Sequence, residues 1–500
     1  MKNREFSLLL GIPTAFFLTI ILFFLTYYIA FNSLVTIYPY FVGRFLPPVL
    51  GISTGVFSNW GRLFFSYFII NALVLLVLYL KDRQQKFGIY IFVVYVVAFF
   101  IQLLFVGLSG NTWEHLHQQT VSMANGIYYM VDEVLMKTPG YKDLNSFQQV
   151  LYVVKWGLFS NNSGFSLPGT THPAGETAIA VLLYNFSKLF PASTISWALI
   201  ITLLNNIIIV VIANIVRLIS SEKNARLASL LLIVTPIVTI HFCALYEGLG
   251  GLFLAVALYF VLKGLKSEEQ SSGFRFYYMV ASLFFILEAQ ISYAHGVPIL
   301  ACCLSLVFVI YKFYNQRYKR VLGQLIILPI LYFSCESLIT SGHSVWFIRA
   351  FKISRIVQSG LIENGRPLFF SQLANLTMMS FMGGFLLLPV VYCSFRDSVG
   401  CILQKTFDKG TPGLRFLALS LSIITIFLIF QKTVRLEVER TWFWFFIASW
   451  PLVFLFFDMI RKFYNKLGLE DRLRNRYFFF FLNCQLLVSL IYVVCFQDYY

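Results

Sequence analysis

GIYIFVVYVVAFFIQLLFVGL, residues 88–108, runs for 21 residues without a formal charge. As an α-helix it rises about 30 Å, which is the depth of a bilayer's hydrocarbon core. It is bounded by KDRQQK at 81–86 and by NTWEHLH at 111–117, so polar chain begins at once on either side. A segment of this kind is read as a membrane-spanning helix, and the rest of the sequence repeats it.

Further apolar runs lie at 7–30, 62–80, 193–216, 227–244, 248–262, 277–291, 297–311, 321–338, 377–394, 414–431, 441–460 and 477–496. With 88–108 they predict about 13 transmembrane helices in an all-α polytopic membrane protein, 1–500 forming a single transmembrane domain. Composition points the same way. The chain is 59% hydrophobic and 12% charged, with 55 Phe and 28 Tyr, against roughly 25% charged residues in soluble domains. A soluble fold is excluded. The first run follows Lys2 and Arg4 but is longer than a signal-peptide core and lacks an A-x-A-like cleavage site, so it is expected to be a retained span. The eight cysteines are scattered, mostly inside apolar runs, and suggest neither a disulfide framework nor a metal site.

The formal net charge of +16 could signal nucleic acid, but its distribution signals topology. With a cytoplasmic N-terminus, the inner segments become 81–86, 217–226, 263–276, 311–320, 395–415 and 461–476, and these hold most of the 38 Lys and Arg. Basic loops on alternate sides are what the positive-inside rule expects, so no nucleic-acid partner is expected. The stretch 172–190 is apolar but carries Glu176 and Lys188. Counting it as a span would move 217–226 outside; an interfacial helix on the outer surface keeps the charge rule intact. The 109–192 loop is then a large extracytoplasmic region with interfacial helices, and 341–376 forms a second outer loop.

This threading puts all six histidines (His115, His117, His172, His241, His295 and His343) outside or at the outer ends of spans. Carboxylates and cations collect there too. A carboxylate in an interfacial cleft can take a proton from a hydroxyl, and Arg or Lys can hold a phosphate leaving group. Glu114, His115 and His117 sit just past the third span, with Glu114 and His117 three apart and on one helical face. Asp132 and Glu133 compete with Glu114 for the role of base, and periodicity leaves open which of them faces the cavity. No zinc site is indicated, since Glu114, His115 and His117 lack an H-E-x-x-H arrangement; no cofactor is expected. In TTHPAGE, residues 170–176, Pro173 suits the first turn of a helix, which fixes His172 at a helix entrance able to attract a phosphate, with Glu176 beside it. Between the last two outer-loop spans, KTVRLEVERTW at 432–442 retains Lys432, Arg435 and Arg440 on the outer side, which suggests an anionic partner.

TTHPAGE and LEVERTW carry a resemblance. The first is similar to the His-Pro-Pro helix start in the large outer loop of the GT-C superfamily, the polytopic glycosyltransferases that use polyprenyl-phosphate sugars and include relatives of the protein mannosyltransferases. The second resembles an E-V-E-R-x-W segment before a late span of some bacterial members. Ala174 stands where the second proline is usual, and the large loop follows the third span rather than the first. The resemblance implies a membrane-resident enzyme of the cell envelope whose donor is a polyprenyl-phosphate sugar and whose acceptor is a hydroxyl of a glycan, lipid or protein. Transfer of a hexosyl or pentosyl group would proceed by direct displacement with inversion. Glu114 would act as base, with Asp132 and Glu133 as its competitors; His115, His117, His172 and Glu176 would meet substrate; Lys432, Arg435 and Arg440 would hold the donor phosphate. A secondary transporter is the rival from another class, with Glu288 and Glu336 in or near apolar stretches. A polymerase or ligase of lipid-linked glycans is a third reading.

Overall fold

The computed structural model describes residues 60–83, 85–108, 112–121, 128, 130–156, 174–243, 246, 248–268, 274–291 and 318–339, with scattered positions in 383–399, 446–453 and 482–490. Every regular element among these residues is helical. In chain order they are α1 (Trp60–Asp82), α2 (Phe87–Val106), α3 (Thr112–Val121), a π-helical turn (Met130–Leu135), α4 (Ser146–Trp156), α5 (Ala174–Ser187), α6 (Ser193–Ile219), α7 (Glu222–Leu232), a second π-helical turn (Ile237–His241), α8 (Gly248–Glu268), α9 (Phe274–Ala289) and α10 (Tyr318–Ile339). A 3₁₀ turn follows at Trp450–Leu452.

Among the described residues three helices are long and apolar enough to cross a membrane: Phe64–Asp82 within α1, α2, and α6. Their surfaces fit that reading. α1 buries only a narrow stripe, Ser66, Ile70, Val74 and Val77, while Phe64 (65% exposed) and Phe68 (74%) stand outward with Leu75, Leu76 and Tyr79. Water would penalise such a face, whereas lipid tails are as apolar as the side chains themselves. The expected spans 62–80, 88–108, 193–216, 248–262, 277–291 and 321–338 coincide with α1, α2, α6, α8, α9 and α10. Those at 7–30, 297–311 and 414–431 lie outside the described residues, and those at 377–394, 441–460 and 477–496 are described at a few positions only.

One expected span has a different form. Residues 227–244 are not a single helix: α7 stops at Leu232 and the chain resumes helically at Ile237. Pro236 is the cause, since it supplies no N–H and its ring disfavours helical geometry at Thr235. The Thr235 hydroxyl donates to the carbonyls of Leu231 and Leu232, closing the broken end from within.

The helices pack side by side. α6 lies against α2 and α8, α1 against α2, and α9 sits between α8 and α10. One apolar cluster runs through them from Ile70 to Leu490 and takes in Trp450, whose indole N–H donates to the Ala228 carbonyl at 3.3 Å. Inside it lies a polar knot. Gln102 on α2 and Asn206 on α6 exchange amide hydrogen bonds of 2.7 and 2.9 Å, and the Gln102 amide also donates to the Val238 carbonyl at 2.8 Å. Next to it Asn205 donates to the Phe242 carbonyl at 3.0 Å.

At one end of this bundle, the first π turn, α4 and α5 form a layer with a core of their own, built from Tyr128, Val131, Leu135, Tyr141, Tyr184, Trp197 and Tyr246, and α3 packs on α6 and α2 through Leu116. α4 begins with a reciprocal cap: the Gln148 N–H donates to Asn145 Oδ1 at 2.9 Å, and the Asn145 N–H to Gln148 Oε1 at 3.1 Å. α6 has 27 residues, a rise of about 40 Å. It therefore exceeds a hydrocarbon slab by several residues, and its first turns receive this layer.

Candidate functional site

The site grows from the first residues of α6. On α3, His117 Nδ1 shares a hydrogen bond of 2.8 Å with Thr194 Oγ1, the tautomer setting its direction, and the Thr120 hydroxyl reaches the Leu116 and Thr194 carbonyls. The Tyr128 hydroxyl meets Ser193 Oγ at 3.2 Å. The Tyr128 ring lies 5.3 Å from both Tyr184 and Trp197, and Trp197 stacks on Tyr246 at 6.1 Å. Aromatic pairs of this spacing add rigidity beyond their burial.

Asp132 projects from the first π turn towards this wall. Its Oδ1 accepts a hydrogen bond from the Tyr184 hydroxyl and lies 3.5 Å from Lys188 Nζ, and the ammonium also sits 4.8 Å above the Tyr184 ring. The Asp132 side chain is 35% exposed and that of Lys188 46%. The result is a partly exposed carboxylate held through one oxygen. Tyr184 and Lys188 are four apart, so α5 presents them on one face, the first within the helix and the second just past it.

Glu114 lies in the first turn of α3 with its side chain exposed, three residues before His117. His115 shares that helix, and Glu133 shares the π turn with Asp132. Glu176 lies in the first turn of α5 and is buried, 2% exposed. Its carbonyl accepts the Tyr246 hydroxyl at 2.7 Å, and a Cβ on neighbouring Gly175 would stand 2.3 Å from Gln290 Cβ. A helix N-terminus favours negative charge, and here a carboxyl from the chain itself stands in that first turn. His172, Lys432, Arg435 and Arg440 lie outside the described residues, as do His295 and His343.

The structure thus joins Asp132 to Tyr184 and Lys188, while His117, on the same helix as Glu114, meets Thr194 beside Ser193, the residue that Tyr128 touches. His241 is elsewhere: it closes the second π turn, just before Phe242, whose carbonyl is bound by Asn205. Asn205 lies about 18 Å along α6 from Ser193, so His241 sits well below the end of the bundle rather than at it. Glu288, fully buried, is in the last turns of α9, two residues before Gln290 and so near the start of α5. Sequence reasoning did not single out Tyr184 and Lys188 as functional. The i, i+4 spacing on a helix facing the Tyr128–Glu133 segment was the available signal.

No protein-family model matches the chain, and comparison with curated proteins finds no match.

Proposed function

We propose that the chain is a membrane-resident glycosyltransferase that moves a sugar from a polyprenyl phosphate to a hydroxyl of a glycan, lipid or protein on the extracytoplasmic face. The observation that carries this reading is Asp132: a half-exposed carboxylate, oriented by Tyr184 and Lys188, on a helical layer at the end of a lipid-exposed bundle. The layer has an apolar outer face to match. Phe147 and Leu151 on α4, with Leu182 and Phe186 on α5 and Leu189 and Phe190 just past it, are exposed together, which suits helices lying in the headgroup region. An isoprenoid donor would arrive at that depth.

In the mechanism, Asp132 accepts the acceptor hydroxyl's proton as the oxygen attacks C1 of the sugar. The C1–phosphate bond breaks on the opposite side, and the polyprenyl phosphate leaves with the electron pair. Tyr184 and Lys188 fix the direction of the carboxylate, which leaves Glu114, on an exposed turn, as the weaker choice of base. Lys432, Arg435, Arg440 and His172 keep the phosphate-holding and positioning roles that the resemblance implies. The test is product analysis in proteoliposomes given a radiolabelled polyprenyl-phosphate sugar, with a diphosphate-linked oligosaccharide as the parallel substrate. Asp132→Asn lowers transfer by roughly 10²- to 10⁴-fold, the usual contribution of a general base, while Glu114→Gln retains most of it. Full transfer by Asp132→Asn rejects this site, and turnover of the diphosphate-linked substrate alone favours a polymerase or ligase.

A transporter has one observation in its favour, the Gln102–Asn206–Val238 knot beside the helix broken at Pro236, because broken helices with buried polar groups mark substrate paths. Solute uptake into proteoliposomes that survives Asp132→Asn and is abolished by Asn206→Leu would establish it.

A further inference from the structure

Opposite the helical layer, two distant segments meet at a corner that neither the fold nor the proposed chemistry uses. Gln85, between α1 and α2, lies against the start of α7. Arg226, 6% exposed, donates from Nε and Nη2 to Glu222 Oε1 at 3.2 and 2.7 Å, and from Nη2 to the Gln85 carbonyl. Its guanidinium stands 4.7 Å over the Tyr90 ring and 5.8 Å over Phe87, and the Tyr90 hydroxyl donates to the Arg226 carbonyl at 2.9 Å. Arg217 takes the other side. Its guanidinium lies 4.6 Å over Phe87 and its Nη2 3.3 Å from Glu222 Oε2.

Two guanidiniums therefore share one ring and one carboxylate. Among the described residues Glu222 is the carboxylate that both guanidiniums touch, and Lys86 and Lys223, each adjacent in sequence to a member of the cluster, stand exposed beside it. Arg226 Nη1 is buried and has no hydrogen-bond partner among the described residues, so the guanidinium retains donor capacity that Glu222 and Gln85 do not use. The position along the bundle narrows the anion. Ile89 and Phe92, one to two turns into α2, are outward-facing and exposed, 52% and 65%. The apolar span begins at Phe87, so lipid tails that cover these side chains would end near that level, with the phosphates of the same lipids just beyond it.

We infer that this corner, with Arg217, Lys86 and Lys223 around the buried Arg226, binds the phosphate of an anionic phospholipid headgroup. Arg217, half-exposed and already stacked on Phe87, is the principal ligand; stacking leaves its outer N–H edge for phosphate oxygens. Glu222 keeps the cations together when no lipid is bound.

The test uses the full chain in nanodiscs of phosphatidylcholine containing graded phosphatidylglycerol. Lipid retention is read by native mass spectrometry and thermal stability by unfolding midpoint. The wild type retains phosphatidylglycerol over phosphatidylcholine, and its midpoint rises with the anionic fraction. Arg217→Gln with Lys86→Gln lowers that preference by about 30-fold, the size expected for two basic groups near an anionic surface, and abolishes the rise. Should that pair fail to fold, Lys86→Gln with Lys223→Gln, both exposed, reads the same preference. Lys137→Gln with Lys142→Gln, exposed in the opposite layer, leaves it unchanged. An undiminished preference in either corner pair, an equal loss in the control pair, or a midpoint rise reproduced by millimolar inorganic phosphate in pure phosphatidylcholine would overturn the inference.

Discussion

Replacing Asn206 by Leu should destabilise the bundle less than replacing Gln102 by Leu, and the double replacement should be no worse than Gln102→Leu alone. The order follows from which groups each change strands. Asn206→Leu leaves Gln102 Oε1 without its donor, while the Gln102 amide still reaches Val238. Gln102→Leu strands both polar atoms of the Asn206 amide and the Val238 carbonyl. The double change removes both amides and strands the carbonyl only. Hydrogen bonds between membrane helices contribute about 0.6 kcal/mol on average and up to about 1.7. The two reciprocal bonds therefore imply a coupling of roughly 1–3 kcal/mol. Reversible unfolding in mixed detergent–SDS micelles, run as a double-mutant cycle, measures it. Additivity within about 0.5 kcal/mol would show that the two amides do not act as a pair, and the account of the polar knot would fail.

Gly175→Ala places a Cβ 2.3 Å from Gln290 Cβ, so the start of α5 must shift; a cost of about 1–3 kcal/mol is expected, visible as a lowered unfolding midpoint, with Gly323→Ala, which has open space, as the control. Burial, with a smaller contribution from nearby Tyr152, holds the Tyr141 hydroxyl well above its ordinary 10.0. The folded layer therefore keeps the proton that the unfolded chain releases: the stability is complete below pH 10 and falls as pH rises further. Alkaline titration at 295 nm should lose one of its late tyrosinates in Tyr141→Phe; a Tyr141 that titrates with the exposed tyrosines contradicts the packing of Tyr141 under α4.

The spans α1, α2 and α6 were legible because length and apolarity suffice to identify a helix that must satisfy its backbone inside lipid. The break at Thr235–Pro236 was legible in principle, since the proline is plain in the sequence, but hydropathy smooths over it. The helices described within 109–192 were not legible one by one. α3 is mostly polar, and the π turn at Met130–Leu135 follows no 3.6-residue period. Asp132 was visible as a candidate carboxylate. What selects it over Glu114 is tertiary: Tyr184 and Lys188 arrive from some 50 residues away, and pattern reasoning along the chain has no access to that pairing. The corner at Arg226 was hidden for the same reason, because its charges read as an ordinary basic loop until Phe87 and Gln85 are seen between them.

Sidedness is where the sequence and the packing meet. Gln85 and the α6–α7 corner are joined through Arg226, and α3 is joined to the start of α6 through Thr194, so the two groups occupy opposite ends of α2 and α6. The length of α5 bears on this reading. It has 14 residues, a rise of about 21 Å, too short for a hydrocarbon core, and it packs within the layer against α4. We propose from the charge rule that the basic corner faces the cytoplasm and Asp132 the outside. Single cysteines at Lys142 and at Gln85, on a background lacking the native thiols, test this with a membrane-impermeant maleimide on intact cells. Position 142 should label at once and position 85 only after permeabilisation. Labelling of both without permeabilisation, or of 85 alone, would place the carboxylate on the wrong side for a lipid-linked donor outside the cell and would remove the basis for the enzyme reading.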